Sequence, residues 1–234
     1  MKFFSSLLLV SFCLTSEASV KEELLSPVQT EASTPFYIGA GITLTLSIFE
    51  DAIVDPAQQE TVENKPLGSF SGFGDAMGQL VPNVLYMTGM YWHSRYANDL
   101  DSKSNARLMF KATLYATMLT TLLKYTIREP RPNGEARNSF PSGHTTTAFA
   151  FASVVAARHN IYWGVGAYSI ATIVAYSRMN DNAHYVHDVV AGATIGIGYG
   201  LGLHYLEKKQ DKLSYNIIPI FTKQKSGIYL VKNF

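Results

Sequence analysis

The sequence predicts an all-α protein, a membrane-embedded bundle of five to six helices that ends in a short β-hairpin-like tail. Charged residues make up only 16% of the 234 residues, against about 25% in soluble domains. Five apolar segments lie between residues 74 and 206, and the last four are long or nearly uncharged, as helices buried in protein or lipid require. Residues 214–234 are instead rich in β-branched and aromatic types, which favour strands.

The chain begins with a segment typical of a secretory signal peptide. Lys2 precedes an apolar stretch over residues 3–14, which is too short to cross a bilayer comfortably. Ser16 and Ala18 place small residues at the two positions that a signal peptidase reads. We therefore expect a cleaved signal peptide over residues 1–18, with an uncleaved anchor as the alternative.

The next part of the chain predicts little regular structure. Residues 19–35 are polar and contain two prolines, so we expect a flexible lead-in. The apolar stretch over residues 36–49 is short and runs into acidic residues, which places it at the membrane surface or interface. Proline and glycine then predict a loop to about Ser71.

A helical domain is predicted over residues 36–212, and close packing is expected within it. Gly192, Gly196 and Gly200 recur every four residues, a spacing that lets two helices approach closely in a membrane. Residues 107–127 would reach about 31 Å, one hydrocarbon thickness. The predicted helices are 74–92, 107–127, 142–158, 161–177 and 186–206.

Aromatic residues support a membrane setting for these helices. Tyr91, Trp92, Tyr162 and Trp163 lie at loop ends that should share one side, like an interfacial belt. A buried core helix with incidental aromatics is the alternative, and the mean hydropathy of +0.05 is low for a chain made mostly of spans. The tail, residues 213–234, is predicted as a structural flap.

Three cations and one helix start point to a bound phosphate. Lys124, Arg131 and Arg178 have no matching acids nearby in sequence, an arrangement that is costly unless an anion joins them. Guanidinium groups fit phosphate oxygens, and a lysine adds a point charge. Ser142 and Gly143 begin a predicted helix, whose free N–H groups and dipole also attract an anion.

Two histidines and one carboxylate supply the reactive groups. His184 and Asp188 are four residues apart and would share one helix face. Asp188 can then accept the Nδ1 proton of His184 and leave Nε2 free as a nucleophile. His144, beside the helix start, can protonate the leaving oxygen as a general acid. This set predicts a phosphohistidine intermediate.

A metal site and a nucleic-acid site are both disfavoured. His184, His187 and Asp188 crowd together, but three nearby cations would repel a divalent ion, and no bridging acidic set is evident. We therefore expect no metal and no cofactor, with His187 packing or hydrogen-bonding nearby. A net charge of +1 without a long basic block gives a nucleic-acid partner little electrostatic support.

The three clusters resemble the signature motifs of the type 2 phosphatidic-acid phosphatase superfamily. The motifs K-x6-R-P, P-S-G-H and S-R-x5-H-x3-D are complete and in order at residues 124–132, 141–144 and 177–188. The resemblance implies the helical bundle of the phosphatidic-acid phosphatase and haloperoxidase type. It implies the same division of roles: phosphate is held by Lys124, Arg131, Ser142, Gly143 and Arg178, with His184 as nucleophile, His144 as acid/base and Asp188 as orienting carboxylate.

The motifs share one end of the predicted helices, and basic residues mark the other. That other end carries Arg95, Lys103, Arg158, Lys208 and Lys209, and the positive-inside rule places it in the cytoplasm. We therefore expect a bacterial inner-membrane protein whose active site faces the periplasm; a soluble periplasmic protein is the alternative.

The predicted function is a metal-independent phosphatase acting on a phosphate monoester or pyrophosphate of a membrane lipid. Candidate substrates are lipid A phosphate, phosphatidylglycerol phosphate, undecaprenyl pyrophosphate and phosphatidic acid. One alternative is a soluble periplasmic acid phosphatase of broad specificity. Another, from a different class, is a non-catalytic protein that binds phosphate or phospholipid. The intact His184–Asp188 pair argues against it, because binding alone does not need a nucleophile.

Overall fold

The computed structural model describes residues 18–213, 215–221 and 226–232. All but the last residue of the predicted signal peptide lies outside these ranges. From residue 20 to residue 213 the regular structure is helical, as the sequence predicts. The first helices are α1 Val20–Leu24, α2 Ser26–Gln29, α3 Ser33–Ile48, a π-helical turn Glu50–Val54, and α4 Asp55–Asn64.

The remaining elements form the body of the bundle and the tail. A 3₁₀ turn, Gly68–Phe70, leads into the longer helices. The helices are α5 Ser71–Gly78, α6 Val81–Ala97, α7 Leu100–Ile127, α8 Gly143–Arg158, α9 Ile161–Asn180 and α10 Val186–Leu213, and the strands are β1 Tyr215–Phe221 and β2 Ser226–Lys232. The two strands pair antiparallel, with Tyr215 opposite Lys232.

The predicted flexible lead-in, residues 19–35, is instead helical and packed. The carboxylate of Glu23 pairs with the Lys111 ammonium at 2.6 Å and accepts a hydrogen bond from the Tyr115 hydroxyl at 2.7 Å. Both side chains of the ion pair are 7% exposed. The prediction was wrong because it overlooked the capping box of Ser19 and Glu22, a local signal for a helix start. The ion pair joins positions 88 residues apart, which no local pattern reveals.

Two helix predictions also change. The segment predicted as one helix, 74–92, is divided into α5 and α6, because Gln79 is extended and Pro82 occupies the first turn of α6, where proline is favoured. The segment predicted as a loop before Ser71 contains α4. α7 begins seven residues before the predicted 107, at Leu100, because the Asp99 carboxylate caps it by accepting from the N–H groups of Asp101 and Ser102.

The core lies where α8 packs between α7, α9 and α10. Small residues such as Ala150 and Ala152, both 0% exposed, let these helices approach closely. The predicted glycine face of α10 meets α8: a Cβ at Gly196 would lie 2.5 Å from the Thr146 carbonyl oxygen, and one at Gly200 would lie 2.5 Å from the Ser153 Cβ. The glycines are therefore required by contact between helices.

One helix among those described, α10, is long and apolar enough over Val186–Gln210 to cross a membrane, and 67% of an apolar 18-residue part of it is buried within the protein. A second candidate arises only if α3 and the segment Glu50–Asn64, which are bent by 88°, are counted as one span.

Candidate active site

The eight site residues predicted from sequence converge on one end of the bundle. The end of α7, the start of α8 and the junction of α9 with α10 meet there. Electrostatic interactions link His144 to Arg178, His184 and Arg131, and link His184 to Lys124, Arg131 and Asp188. The two histidines therefore share one site.

The first motif holds its cations against a single loop segment. Lys124 lies in the last turn of α7, which ends where Arg128 adopts a left-handed conformation with φ of 55°. Its ammonium donates to the carbonyl oxygens of Asn138, at 2.5 Å, and Ser139, at 3.2 Å. Arg131 donates through Nε to the Asn138 side-chain oxygen at 2.9 Å. Both cations are therefore fixed by neutral oxygen atoms and keep their charge available.

The second motif forms the start of α8. Ser142 is the N-cap, and its hydroxyl accepts hydrogen bonds from the Thr145 hydroxyl at 3.0 Å and the Thr145 N–H at 3.5 Å. The N–H of Ser142 donates to the backbone carbonyl of Asp188 at 3.0 Å. A Cβ at Gly143 would lie 3.9 Å from the Lys124 side chain, so Lys124 adjoins the helix N-terminus.

Arg178 is not without acids, which corrects the prediction from sequence. Its guanidinium donates through Nη1 to Asp75 at 2.5 Å and through Nη2 to Asp181 at 2.9 Å. The residue is only 6% exposed. The Asp75 contact joins positions 103 residues apart and could not be read from spacing, whereas Asp181 is a near neighbour that the motif pattern passes over.

The predicted His184–Asp188 pair is present, although His184 precedes α10 instead of lying within it. The Nδ1 of His184 is 3.5 Å from Oδ2 of Asp188, so Nε2 is the nitrogen directed away from the carboxylate. The same oxygen accepts from the Ser139 hydroxyl at 2.6 Å and from the Tyr185 N–H at 2.9 Å. Asp188 is 0% exposed and its orientation is fixed by these donors.

Burial and neighbouring cations depress the basicity of the site. Burial, with Lys124 and Arg131, lowers the pKa of His184, against the opposing effect of Asp188. The site therefore favours the neutral form of the His184 imidazole, and an arriving anion offsets the mutual repulsion of the cations.

His187 packs and hydrogen-bonds beside the site, as the sequence predicts. Its ring stacks on Tyr185 with centroids 5.4 Å apart, and its Nε2 lies 2.7 Å from the Glu129 carboxylate. Glu50, Glu129 and His187 are the group of metal-ligand types that the described residues bring within 4.8 Å of one another. This group adjoins Asp188, because Nε2 of His187 lies 3.6 Å from Oδ1, the second carboxylate oxygen of Asp188.

Three functional neighbours were missed from sequence: Asp75, Ser139 and Asp181. Ser139 is polar and lies two residues before the second motif, a weak signal. Asp75 is the one acidic residue of α5, and its place beside His144, at 3.3 Å, depends on packing between α5 and α8.

An open cavity of about 450 Å³ lies beside the site. Its lining includes the site residues Lys124, Gly143 and His144. It shares Leu80 and Thr117 with an apolar groove of about 250 Å³ between α6 and α7. The groove is otherwise lined by Asn83, Val84, Met87, Met109, Phe110, Thr113 and Leu114.

The fold and the site together are similar to those of phosphatases built on a helical bundle. Residues 106–212, a little under half of the chain, match the model of the PAP2 superfamily. The chain is 34% identical over 141 residues to a lipid A 1-phosphatase of Porphyromonas gingivalis, covering 57% of this chain but only 30% of that relative. It is 26% identical over 200 residues to a lipid A 1-phosphatase of Rhizobium etli, covering 76% of this chain and 84% of that one.

Two solved structures share the fold. LpxE of Aquifex aeolicus aligns with a TM-score of 0.54 at 23% identity, over 66% of this chain and 96% of that one. A PAP2-type phosphatidylglycerolphosphate phosphatase of Bacillus subtilis aligns with a TM-score of 0.57 at 21% identity, over 79% and 97%. The helical architecture around the site is therefore shared with these two proteins.

Proposed function

We propose that this protein is a metal-independent phosphatase that hydrolyses a phosphate monoester or pyrophosphate of a membrane lipid through a phosphohistidine. One observation carries the proposal: cations, a helix N-terminus and the imidazoles of His144 and His184 converge at one end of the bundle. Such donors stabilise the charge that a phosphoryl group spreads over its oxygens in the transition state.

The proposed reaction has two steps. The lone pair on His184 Nε2 attacks phosphorus while Asp188 holds the Nδ1 proton, and the bond to the leaving oxygen breaks as His144 supplies a proton. Water, deprotonated by His144, then attacks the phosphohistidine and releases phosphate. Lys124, Arg131, Arg178 and the N–H groups that follow Ser142 hold the phosphoryl oxygens throughout.

The apolar groove supports a lipid over a soluble ester. It starts at Leu80 and Thr117, which also line the cavity beside Lys124 and His144. A hydrocarbon chain lying between α6 and α7 would therefore place its phosphate at the cations. Lipid A phosphate is the first candidate, because the relatives from Porphyromonas and Rhizobium are lipid A 1-phosphatases.

A place in the bacterial inner membrane, with the site facing the periplasm, completes the proposal. Large apolar side chains are exposed on α3, α6, α7 and α9, for example Leu44 at 62%, Leu85 at 65%, Leu122 at 60% and Val165 at 58%. Such surface is costly in water and suits lipid. The aromatic residues Trp92, Tyr162 and Trp163 are also exposed, at the end of α6 and the start of α9, as an interfacial belt requires.

Phosphate release by the purified protein tests the proposal. The panel contains lipid A, phosphatidylglycerol phosphate, undecaprenyl pyrophosphate, phosphatidic acid and soluble esters, with a chelator in parallel samples. We expect release from at least one lipid, undiminished by the chelator. Activity on soluble esters alone, or loss on chelation with rescue by a divalent ion, would contradict it.

A further inference from the structure

Asp75 lies between the two groups that the proposed mechanism assigns to different tasks. Its Oδ1 is 2.5 Å from Nη1 of Arg178 and 3.3 Å from Nε2 of His144. The residue belongs to α5, outside the three motifs, and outside residues 106–212 that match the family. Its side chain is 45% exposed, so it lies at the site opening and not in the core.

Two glycines of α5 allow the close packing that places Asp75 beside Arg178 and His144. A Cβ at Gly74 would lie 2.3 Å from the Ser177 hydroxyl oxygen, and a Cβ at Gly78 would lie 2.7 Å from the Cβ of His144. The glycines on either side of Asp75 thus let α5 contact both α9 and α8. The Asp75 carboxylate reaches the site because α5 lies unusually close to α8 and α9.

An ion pair with Arg178 does not by itself account for Asp75. Asp181 already pairs with the same guanidinium, through Nη2 at 2.9 Å. A second carboxylate beside Arg178, that of Asp75, further reduces the positive charge available to phosphate and so weakens phosphate binding. The contact with His144 is what distinguishes Asp75 from Asp181.

We propose that Asp75 is a positioning residue for the acid/base step, which pairs with His144 as Asp188 pairs with His184. Its carboxylate accepts the Nε2 proton of His144, which turns Nδ1 toward the leaving oxygen. The imidazolium gives its Nδ1 proton to that oxygen as the P–O bond breaks, and neutral His144 keeps its Nε2 proton on Asp75. In the second step Nδ1 takes a proton from the attacking water. The inference rests on the proposed function.

The charges around His144 indicate why a carboxylate is needed at Asp75. Among the described residues, the charged or titratable groups around His144 include Arg178, Asp75, His184 and Arg131, and Lys124 lines the same cavity. The cations disfavour the imidazolium form of His144, and Asp75 favours it. Without that carboxylate the bound phosphate alone would stabilise the imidazolium, and general-acid catalysis by His144 would weaken.

The test compares two substitutions that remove a negative charge beside Arg178. Asp75→Asn removes the negative charge that faces His144, and Asp181→Asn is the matched control that leaves this charge in place. Each enzyme is assayed on 4-nitrophenyl phosphate, whose leaving group needs no proton, and on a long-chain alkyl phosphate, whose alkoxide does. The quantity compared is the ratio of the two kcat values within each variant, which does not depend on the fraction of protein folded.

Asp75→Asn is expected to slow the alkyl phosphate by about 10²–10⁴-fold, the usual contribution of a general acid, and 4-nitrophenyl phosphate by less than about tenfold. Asp181→Asn should change both substrates by a similar factor, and Asp75→Glu should restore most of the alkyl phosphate rate. An unchanged ratio in Asp75→Asn would overturn the inference. A wild-type enzyme inactive on every ester would instead remove the proposed function.

Discussion

Substituting alanine for Gly196 tests the packing of α10 on α8. The added Cβ would lie 2.5 Å from the Thr146 carbonyl oxygen and 2.7 Å from the Ala150 backbone nitrogen. Ordinary van der Waals contact begins at 3.4 Å, so one helix must retreat by about 0.9 Å across a close-packed core. Both neighbours are backbone atoms, which cannot rotate away.

Gly166→Ala on α9 is the matched control, because a Cβ at Gly166 meets nothing within 4 Å. Each change should gain up to about 1 kcal/mol from alanine's higher helix propensity, so this gain cancels in the comparison. Overpacking a core costs about 1–3 kcal/mol. We therefore expect Gly196→Ala to be less stable than Gly166→Ala by about that amount.

Thermal unfolding in detergent, followed by tryptophan fluorescence, measures the difference. For a chain of this size each kcal/mol corresponds to about 2–4 °C in Tm. Gly192→Ala should behave similarly and also reduce kcat, because its Cβ would lie 2.5 Å from the carbonyl oxygen of Ser142. Equal Tm values for Gly196→Ala and Gly166→Ala would refute the argument.

The remaining predictions concern the site and the N-terminal helices. His184→Ala should abolish turnover but still bind vanadate, measured by calorimetry, because the cations remain; loss of vanadate binding would contradict this. Arg131→Ala should lower kcat about a hundredfold or more, as for a removed transition-state donor, and a smaller loss in steady-state kinetics would count against its role. Burial lowers the pKa of His184, and only the neutral ring can attack phosphorus. The value of kcat/KM should therefore fall in acid, with the midpoint of the pH profile below about 6.5, the usual pKa of histidine. A midpoint above that value would contradict the prediction. Lys111→Met should cost about 3–5 kcal/mol of unfolding free energy by leaving a buried carboxylate unpaired, and Glu23→Gln added to it should recover much of the loss in chemical denaturation.

The residues that are close in sequence were the ones that could be predicted. The second motif places Ser142 and Gly143 at a helix start by local rules of capping, and the four-residue spacing of His184 and Asp188 brings them together even though α10 begins only at Val186. Apolar composition likewise predicted the helices, whose ends moved where a cap such as Asp99 was overlooked.

The residues that could not be predicted depend on contacts between distant segments. Asp75 reaches Arg178 and His144 only because Gly74 and Gly78 allow α5 to pack closely. Glu23 is buried and held in the bundle by Lys111, and this ties a polar helical segment to α7. In each case the partner lies on another helix, and a single sequence does not say which helices are neighbours.

The hydrogen bond from the Ser142 N–H to the Asp188 carbonyl has a consequence for how this protein is dissected by mutation. Both partners are peptide groups, so ordinary side-chain substitution leaves the bond in place, and an alanine scan would assign it no value. Replacing the amide of residue 142 with an ester by chemical synthesis, which deletes the one hydrogen and little else, is the way to weigh it.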